Sequence, residues 1–129
     1  MSAYGPHAAG RAAEDTAAAY LCSHGARILL RNYRRRAGEL DIVALCDGVL
    51  VIAEVRLRSS QAYGGAAASV NARKQRRVVR AAQQLLLQHR EYARLPVRFD
   101  VLVVSVPQAA AATAAAAPVE WIRHAFEAR

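Results

Sequence analysis

Two short apolar runs around an Asp-Gly dipeptide constrain the fold of this 129-residue chain more than any other feature. Together they form the stretch GELDIVALCDGVLVIAEVRLR, residues 38–58. Asp-Gly suits the central positions of a type I′ turn, because both positions need a positive φ. The stretch therefore predicts an antiparallel hairpin with strands at 39–46 and 49–57.

The turn also determines which side chains of the hairpin face one another. With two loop residues, Asp41 lies opposite Glu54. Glu39 then lies opposite Arg56, and all four side chains share one face of the hairpin. A longer loop, by one residue, would shift the register and put Asp41 and Glu54 on opposite faces.

Opposed carboxylates inside apolar strands need a positive partner. Residues directly opposite in an antiparallel pair have Cβ atoms about 4.5–5.5 Å apart, and like charges there destabilise the sheet. Mg²⁺ or Mn²⁺ would offset the repulsion between Asp41 and Glu54, since hard cations bind carboxylates together with water and phosphate oxygens. The spacing leaves an alternative open, an ion-pair cluster in which Arg56 and nearby arginines neutralise the acids.

Another acidic residue lies in the alanine-rich segment before the hairpin. A helix is predicted from Pro6 to His24, with Gly25 as its left-handed C-terminal cap. Helical spacing puts Glu14 on one face with small apolar residues, namely Gly10, Ala17, Ala18 and Leu21. Glu14 would add a third carboxylate to the hairpin site if this helix packs over that end of the sheet.

The rest of the chain completes a single predicted α/β domain, residues 1–129. Four further elements are expected: strands at 26–36, 97–106 and 119–126, and a helix at 69–93. The order α-β-β-β-α-β-β predicts a mixed sheet of four to five strands flanked by helices, in which the strands joined by the second helix are parallel. Residues 61–69 are expected to form a flexible connection and the alanine-rich 107–118 a flexible loop.

The net charge of +8 favours a polyanionic partner, most commonly nucleic acid. Arginine outnumbers lysine 17 to 1, so the codon bias of a GC-rich genome is an alternative source of the charge. Basic clusters precede the hairpin and begin the second helix, and we expect them to contact phosphates. The candidate nucleic-acid-binding residues are Arg34, Arg35, Arg36, Arg73, Lys74 and Arg77.

Several classes of protein are not indicated. The chain starts without an apolar run behind a basic patch, and no segment is apolar for long enough to span a membrane, so a cytoplasmic protein is expected. Cys22 and Cys46 match no metal-ligand spacing and are expected to be reduced and buried. The histidines show no catalytic spacing, and no glycine-rich phosphate loop or helix-turn-helix is present.

The stretch GRAAEDTAAAYLCSHGARILLRNYRRRAGELDIVALCDGVLVIAEVRLRS resembles the opening of the YraN-like family of small bacterial proteins. The likeness continues through the lysine of NARKQRR, the strand RFDVLVV and the terminal HAF. That family is similar to the restriction-endonuclease-like PD-(D/E)XK proteins, particularly archaeal Holliday-junction resolvases. The resemblance implies a three-layer domain that hydrolyses phosphodiester bonds of DNA, including branched or processed DNA, with Mg²⁺ or Mn²⁺, and that forms a homodimer.

The resemblance also implies residue roles. Glu14 would be the helical acid, and Asp41 and Glu54 would be the metal ligands. Arg56 occupies the position of the motif lysine, from which it would contact the scissile phosphate. Arginine binds phosphate but hardly ever loses its proton, which weakens the expectation of catalysis. Ala13 replaces the glycine that usually precedes the helical acid.

The only lysine of the chain, Lys74, is a further hypothetical member of the site, reaching the substrate phosphate from the second helix. Two other functions remain open. A catalytically inactive module of the same fold would bind nucleic acid in a salt-dependent way without cleaving it. A protein-interaction scaffold would bind nucleic acid weakly and would not respond to metal.

Overall fold

The computed structural model describes residues 6–58, 70–105 and 118–128. The elements follow in the order α1 (Pro6–Ser23), β1 (Arg27–Arg35), β2 (Gly38–Cys46), β3 (Val49–Arg58), α2 (Ala72–Gln88), β4 (Val97–Ser105) and β5 (Val119–Phe126). This order confirms the prediction. The predicted connection at 61–69 and nearly all of the predicted loop at 107–118 lie outside the described residues.

The strands form one sheet in the order β1-β2-β3-β4-β5. Neighbouring strands are antiparallel except β3 and β4, which are parallel because helix α2 returns the chain between them. The predicted mixed sheet is therefore confirmed. The fifth strand, predicted from the sequence VEWIRHAF, pairs with β4 at one edge.

The two helices cover opposite faces of the sheet. On one face, the small residues of α1 allow close packing against the sheet; the buried residues of that helix are Ala13, Ala17, Ala18 and Leu21. On the other face, α2 packs an apolar stripe that includes Val78, Ala81, Ala82 and Leu85. Strand residues alternate between these two cores, so the architecture is the expected three-layer domain.

Helix α2 is shorter than the predicted range 69–93. It begins after Asn71, whose side chain accepts the backbone N–H of Lys74 at 2.8 Å, as an N-cap does. It ends because His89 leaves the helical conformation (φ −121°, ψ 77°). A short 3-10 helix, Arg90–Tyr92, follows.

Neither cysteine is in a disulfide bond, and Cys46 is buried, as predicted. The prediction that Cys22 is buried is wrong, because the residue lies in the last turn of α1, on the side that faces solvent. In the described part of the chain, no helix is both long enough and apolar enough to cross a membrane.

The hairpin turn has the predicted geometry. Asp47 and Gly48 have φ angles of 52° and 77°, as a type I′ turn requires at both central positions. Cys46 pairs with Val49, and the pairing continues in the same register as far as Ile42 and Ala53. The two-residue loop, and the register that it implies near the turn, are therefore confirmed.

The pairing between β2 and β3 ends at Ile42 and Ala53, one residue short of the two carboxylates. Leu40 packs on the α2 side of the sheet whereas Ile42 packs on the α1 side, although residues two apart in a regular strand share a face. Strand β2 therefore changes faces at Asp41. Beside Asp41 on β1 is Asn32, whose φ of 54° is left-handed.

At this break a side chain replaces the regular backbone pairing. The N–H of Val55 donates to Asp41 Oδ2 at 2.9 Å. The predicted pairing of Glu39 with Arg56 is wrong because the two strands have already separated. Glu39 instead pairs across to Arg34 on β1, and their charged groups lie 3.8 Å apart.

Helix α2 crosses the start of β2 at very short range. A Cβ atom on Gly38 would collide with the backbone carbonyl of Arg77. Only glycine permits this approach, and the approach places the β1–β2 turn next to the basic half of α2. The sequence did not predict this contact, since it depends on where the helix lies over the sheet.

Replacing Gly38 with alanine is expected to lower the free energy of unfolding by about 1–3 kcal/mol, because the added methyl forces the helix away from the sheet. Urea denaturation would measure the change. Gly10→Ala is the matched control, since nothing lies within 4 Å of the added Cβ. Because Gly10 lies inside helix α1, its replacement by alanine should raise the free energy of unfolding by about 0.5–1 kcal/mol. Equal effects of the two substitutions would contradict the close approach.

Candidate metal-binding and phosphate-binding site

Two carboxylates lie where β2 and β3 separate. The Glu54 side chain is only 2% exposed, and Asp41 is partly exposed. One oxygen of Asp41 is held by the Val55 N–H. Glu54 Oε2 is buried and has no hydrogen-bond partner among the described residues. Since buried polar atoms are nearly always paired, this oxygen requires an explanation.

The surroundings disfavour ionisation of both acids. Burial raises the pKa of Glu54 to about 8, and the negative charge of Asp41 acts in the same direction. Burial also raises the pKa of Asp41, while the Val55 N–H opposes the rise. The charge of Glu14 adds to the rise at Asp41, so each acid has a negatively charged neighbour that opposes its ionisation.

Among the described residues, Lys74 is the basic side chain that contacts this pair, through Glu54. Its Nζ lies 3.6 Å from Glu54 Oε1, and its charge lowers the pKa of both Glu54 and Asp41. The lysine projects from the first turn of α2 with 35% of its side chain exposed. The sequence raised Lys74 only as a hypothetical member of the site, and the structure brings it to Glu54.

Glu14 lies on the α1 side of the sheet, with 15% of its side chain exposed. Helix α1 packs over this end of the sheet, since Ala13 and Ala17 share a core with Ile42 and Ala53, and the charge of Glu14 raises the pKa of Asp41. Its carboxylate is 3.5 Å from the Arg31 guanidinium, which also contacts Asp15 at 2.7 Å. Arg31 was not among the predicted site residues, although its place in a basic run was visible.

Arg56 follows Glu54 by two residues on β3 and so lies on the same face of that strand. It is partly exposed, and it makes no ion pair or hydrogen bond with another described residue. Its guanidinium belongs to the end of β3 that carries Glu54.

The residues present fit a hard divalent cation. Mg²⁺ is bound by one or two carboxylates plus water and substrate oxygens, rather than by a full protein cage. Asp41 and Glu54 supply two carboxylates, and Glu54 Oε2 is an unpaired ligand atom. Within 6–58, 70–105 and 118–128, no group of three His, Cys, Asp or Glu side chains could enclose a metal by itself. The fit is thus to an open, two-carboxylate site.

Helix α2 presents a basic surface beside this site and contains no acidic residue. Four exposed arginines on it contact no carboxylate of the described chain: Arg73, Arg76, Arg77 and Arg80. Four arginines on the strands differ, since Arg31, Arg34, Arg58 and Arg98 each have a carboxylate partner. The first half of α2 therefore carries four positive charges that no described carboxylate neutralises.

The predicted nucleic-acid-binding residues of the β1–β2 region have different surroundings. Arg34 is exposed and lies near Glu39, while Arg36 is exposed in the turn. Arg35 lies over the Tyr33 ring at 4.3 Å and donates to Gln88 Oε1 at 3.1 Å, so it takes part in packing β1 against α2. Of the six predicted residues, Lys74 is the one with a described contact to the carboxylate pair.

Asp100 on β4 is a buried carboxylate that the sequence interpretation did not single out. It is fully buried on β4 and accepts hydrogen bonds from Arg98 Nε (2.8 Å), Trp121 Nε1 (2.8 Å) and the His124 N–H (2.9 Å). The signal was present, since RFDVLVV places an acid inside an apolar strand as the hairpin does. Its oxygens are satisfied by the chain itself, unlike those of Glu54.

Known proteins resemble this chain over most of its length. Residues 13–104 match the model of Uncharacterised protein family UPF0102. A UPF0102 protein of Stutzerimonas stutzeri is 43% identical over 118 residues, 92% of this chain and 93% of that protein. One of Alcanivorax borkumensis is 44% identical over 117 residues, 91% of this chain and 90% of that protein. One of Pseudomonas putida is 41% identical over 122 residues, 95% of each.

Proposed function

This chain belongs to uncharacterised protein family UPF0102, as the YraN-like resemblance implied, and we propose that it is a metal-dependent nuclease acting on DNA phosphodiester bonds. The observation that best supports the proposal is the pair of Asp41 and the buried Glu54, with one unpaired oxygen, Glu54 Oε2, beside a basic helix. The names of the family and of its members state no activity, so the proposal rests on this geometry and on the resemblance to PD-(D/E)XK nucleases.

Each group has a distinct part in the proposed reaction. Asp41 and Glu54 hold Mg²⁺ or Mn²⁺, which would supply Lewis-acid stabilisation of charge on the phosphate. Glu14 acts on the site through its charge and its contact with Arg31. Arg56 binds a non-bridging oxygen of the scissile phosphate, as its planar guanidinium is suited to do.

The α2 arginines bind the DNA backbone on either side of the scissile phosphate. Such contacts release condensed counterions, so binding should weaken steeply as salt increases. These contacts carry no sequence information, and the sequence contains no helix-turn-helix signature. The substrate class is therefore defined by DNA structure, with branched or processed DNA as the class that the resemblance suggests.

Cleavage of a DNA panel in Mg²⁺ and in Mn²⁺ tests the proposal. Duplex, single-stranded, flapped and four-way-junction DNA would be compared. We expect the wild type to cut at least one of them, and Asp41→Asn to reduce the rate about 100-fold or more, because the replacement removes a ligand charge. Glu39→Gln is the matched control, since Glu39 lies on the same strand but pairs with Arg34. Equal loss in both variants would contradict the assigned site.

Arg56 favours a second candidate, a nucleic-acid-binding module without catalysis. Arginine differs from lysine in reach and in proton affinity, and Glu54 already has an ammonium partner in Lys74. Cleavage by Arg56→Lys alone would indicate an intact site silenced by one substitution. Salt-dependent binding without cutting by any version would favour the module, and weak, non-saturable binding would favour the interaction scaffold.

A further inference from the structure

Lys74 lies at the boundary between the carboxylates and the basic surface. Its backbone is fixed, because Asn71 caps the helix through the Lys74 N–H. Its side chain is flexible by nature, and its ammonium carries three donors but only one described carboxylate contact, to Glu54 Oε1. The group can therefore change partner without movement of the helix.

Two ligands would act on the Lys74 ammonium: a metal cation would release it from Glu54, and a phosphate would bind it. A cation bound by Glu54 would take the place of the proton that the buried carboxyl otherwise holds, and it would repel the Lys74 Nζ. A nucleic-acid backbone on α2 would lie among Arg73, Arg76 and Arg77, exposed neighbours of the lysine on the first turns of the helix. The released ammonium would then face a phosphate.

We propose that Lys74 couples the two binding events, holding Glu54 in the free protein and moving to a backbone phosphate once a divalent cation occupies the carboxylates. The inference rests on the proposed function and adds to it an order of assembly. Because coupling between two ligands is reciprocal, metal should strengthen DNA binding and DNA should strengthen metal binding by the same factor. Lys74 acts here as a positioning residue and as a phosphate ligand.

Binding measurements without cleavage test the coupling. Ca²⁺ serves as the hard oxygen-binding probe, with a short labelled DNA duplex followed by fluorescence anisotropy at constant ionic strength. We expect Ca²⁺ to tighten DNA binding by the wild type about tenfold. Lys74→Gln should lose nearly all of this tightening.

Arg73→Gln is the matched control, since it removes the same charge from an exposed neighbour that has no contact with Glu54. It should weaken DNA binding at every Ca²⁺ concentration but keep the tenfold response. Calorimetric titration of Ca²⁺ into the wild type, with and without DNA, should give the same factor and needs no variant.

Wild-type binding of both ligands without coupling would overturn the inference and leave the nuclease proposal standing. An unchanged response in Lys74→Gln would overturn it as well. Coupling that depends on Lys74, in a protein that cuts none of the DNA panel, would support the inference while refuting the nuclease. Failure of Ca²⁺ to bind at all would overturn both.

Discussion

Replacing Asp100 with alanine is expected to lower the free energy of unfolding by about 3–5 kcal/mol, the cost of removing one partner from a buried charge pair. The carboxylate has no exposed surface, and Arg98 contacts both of its oxygens. Alanine would leave the Arg98 guanidinium and the Trp121 indole N–H without their acceptor in a half-buried site. Urea denaturation at neutral pH would measure the loss.

The cost should appear at the junction of β4 and β5. The pairing of these strands shifts between Phe99 and Val101, and His124 takes a left-handed conformation (φ 55°) within the shift. Asp100 accepts the His124 N–H, so the carboxylate stabilises this β-bulge and attaches the edge strand. Faster amide exchange in β5 than in the hairpin should accompany the loss in the Asp100 variant.

Asp15→Ala is the matched control for Asp100→Ala. Asp15 also contacts an arginine, at 2.7 Å, but its side chain is 70% exposed, so the expected change is about 1 kcal/mol or less. Asp100→Asn should fall between the two, because the amide oxygen can still accept one of the donors. A loss in Asp100→Ala no larger than in the control would contradict the anchoring role.

The hairpin shows what a sequence can predict here. Its turn depends only on Asp47 and Gly48, whose preference for positive φ is local, so both the strands and their register near the turn were predicted correctly. The order of elements and the parallel pair β3–β4 also follow from local patterns and connection length. Local signals therefore account for the layers and for which strand carries each acid.

The geometry at the acids depends on residues distant in sequence. The break at Asp41 coincides with the left-handed Asn32 on the neighbouring strand, and nothing within the hairpin predicts it. The contact between Lys74 and Glu54 depends on how α2 lies across the sheet, which in turn requires Gly38. The alternation of side chains between the two faces holds along most of each strand, but it fails at Asp41, where β2 changes faces.

Replacing Glu54 with glutamine in metal-free buffer is expected to raise the free energy of unfolding at pH 8.5–9 by about 2–4 kcal/mol. The pKa of Glu54 rises from 4.5 to about 8 in the folded protein, chiefly because the group is buried. The folded protein therefore keeps a proton that the unfolded chain releases. The stability that this proton contributes is complete below pH 4.5 and is lost as the pH rises through about 8.

Glutamine has no proton to lose, so its advantage over Glu54 should be small near pH 4 and should grow as the pH rises. Lys74 adds little cost in the variant because its side chain is 35% exposed and can turn to solvent. Chemical denaturation across this pH range with a chelator present would measure the difference, and Glu39→Gln, exposed on the same hairpin, should change stability by about 0.5 kcal/mol or less. Parallel pH profiles for the wild type and Glu54→Gln would show that Glu54 is already ionised in the folded protein.

The free energy of unfolding should also be measured against pH with Mn²⁺ present. The decrease with pH that Glu54 causes should then disappear from the wild type, whereas Glu54→Gln should not change, because a cation that binds the ionised Glu54 replaces the proton.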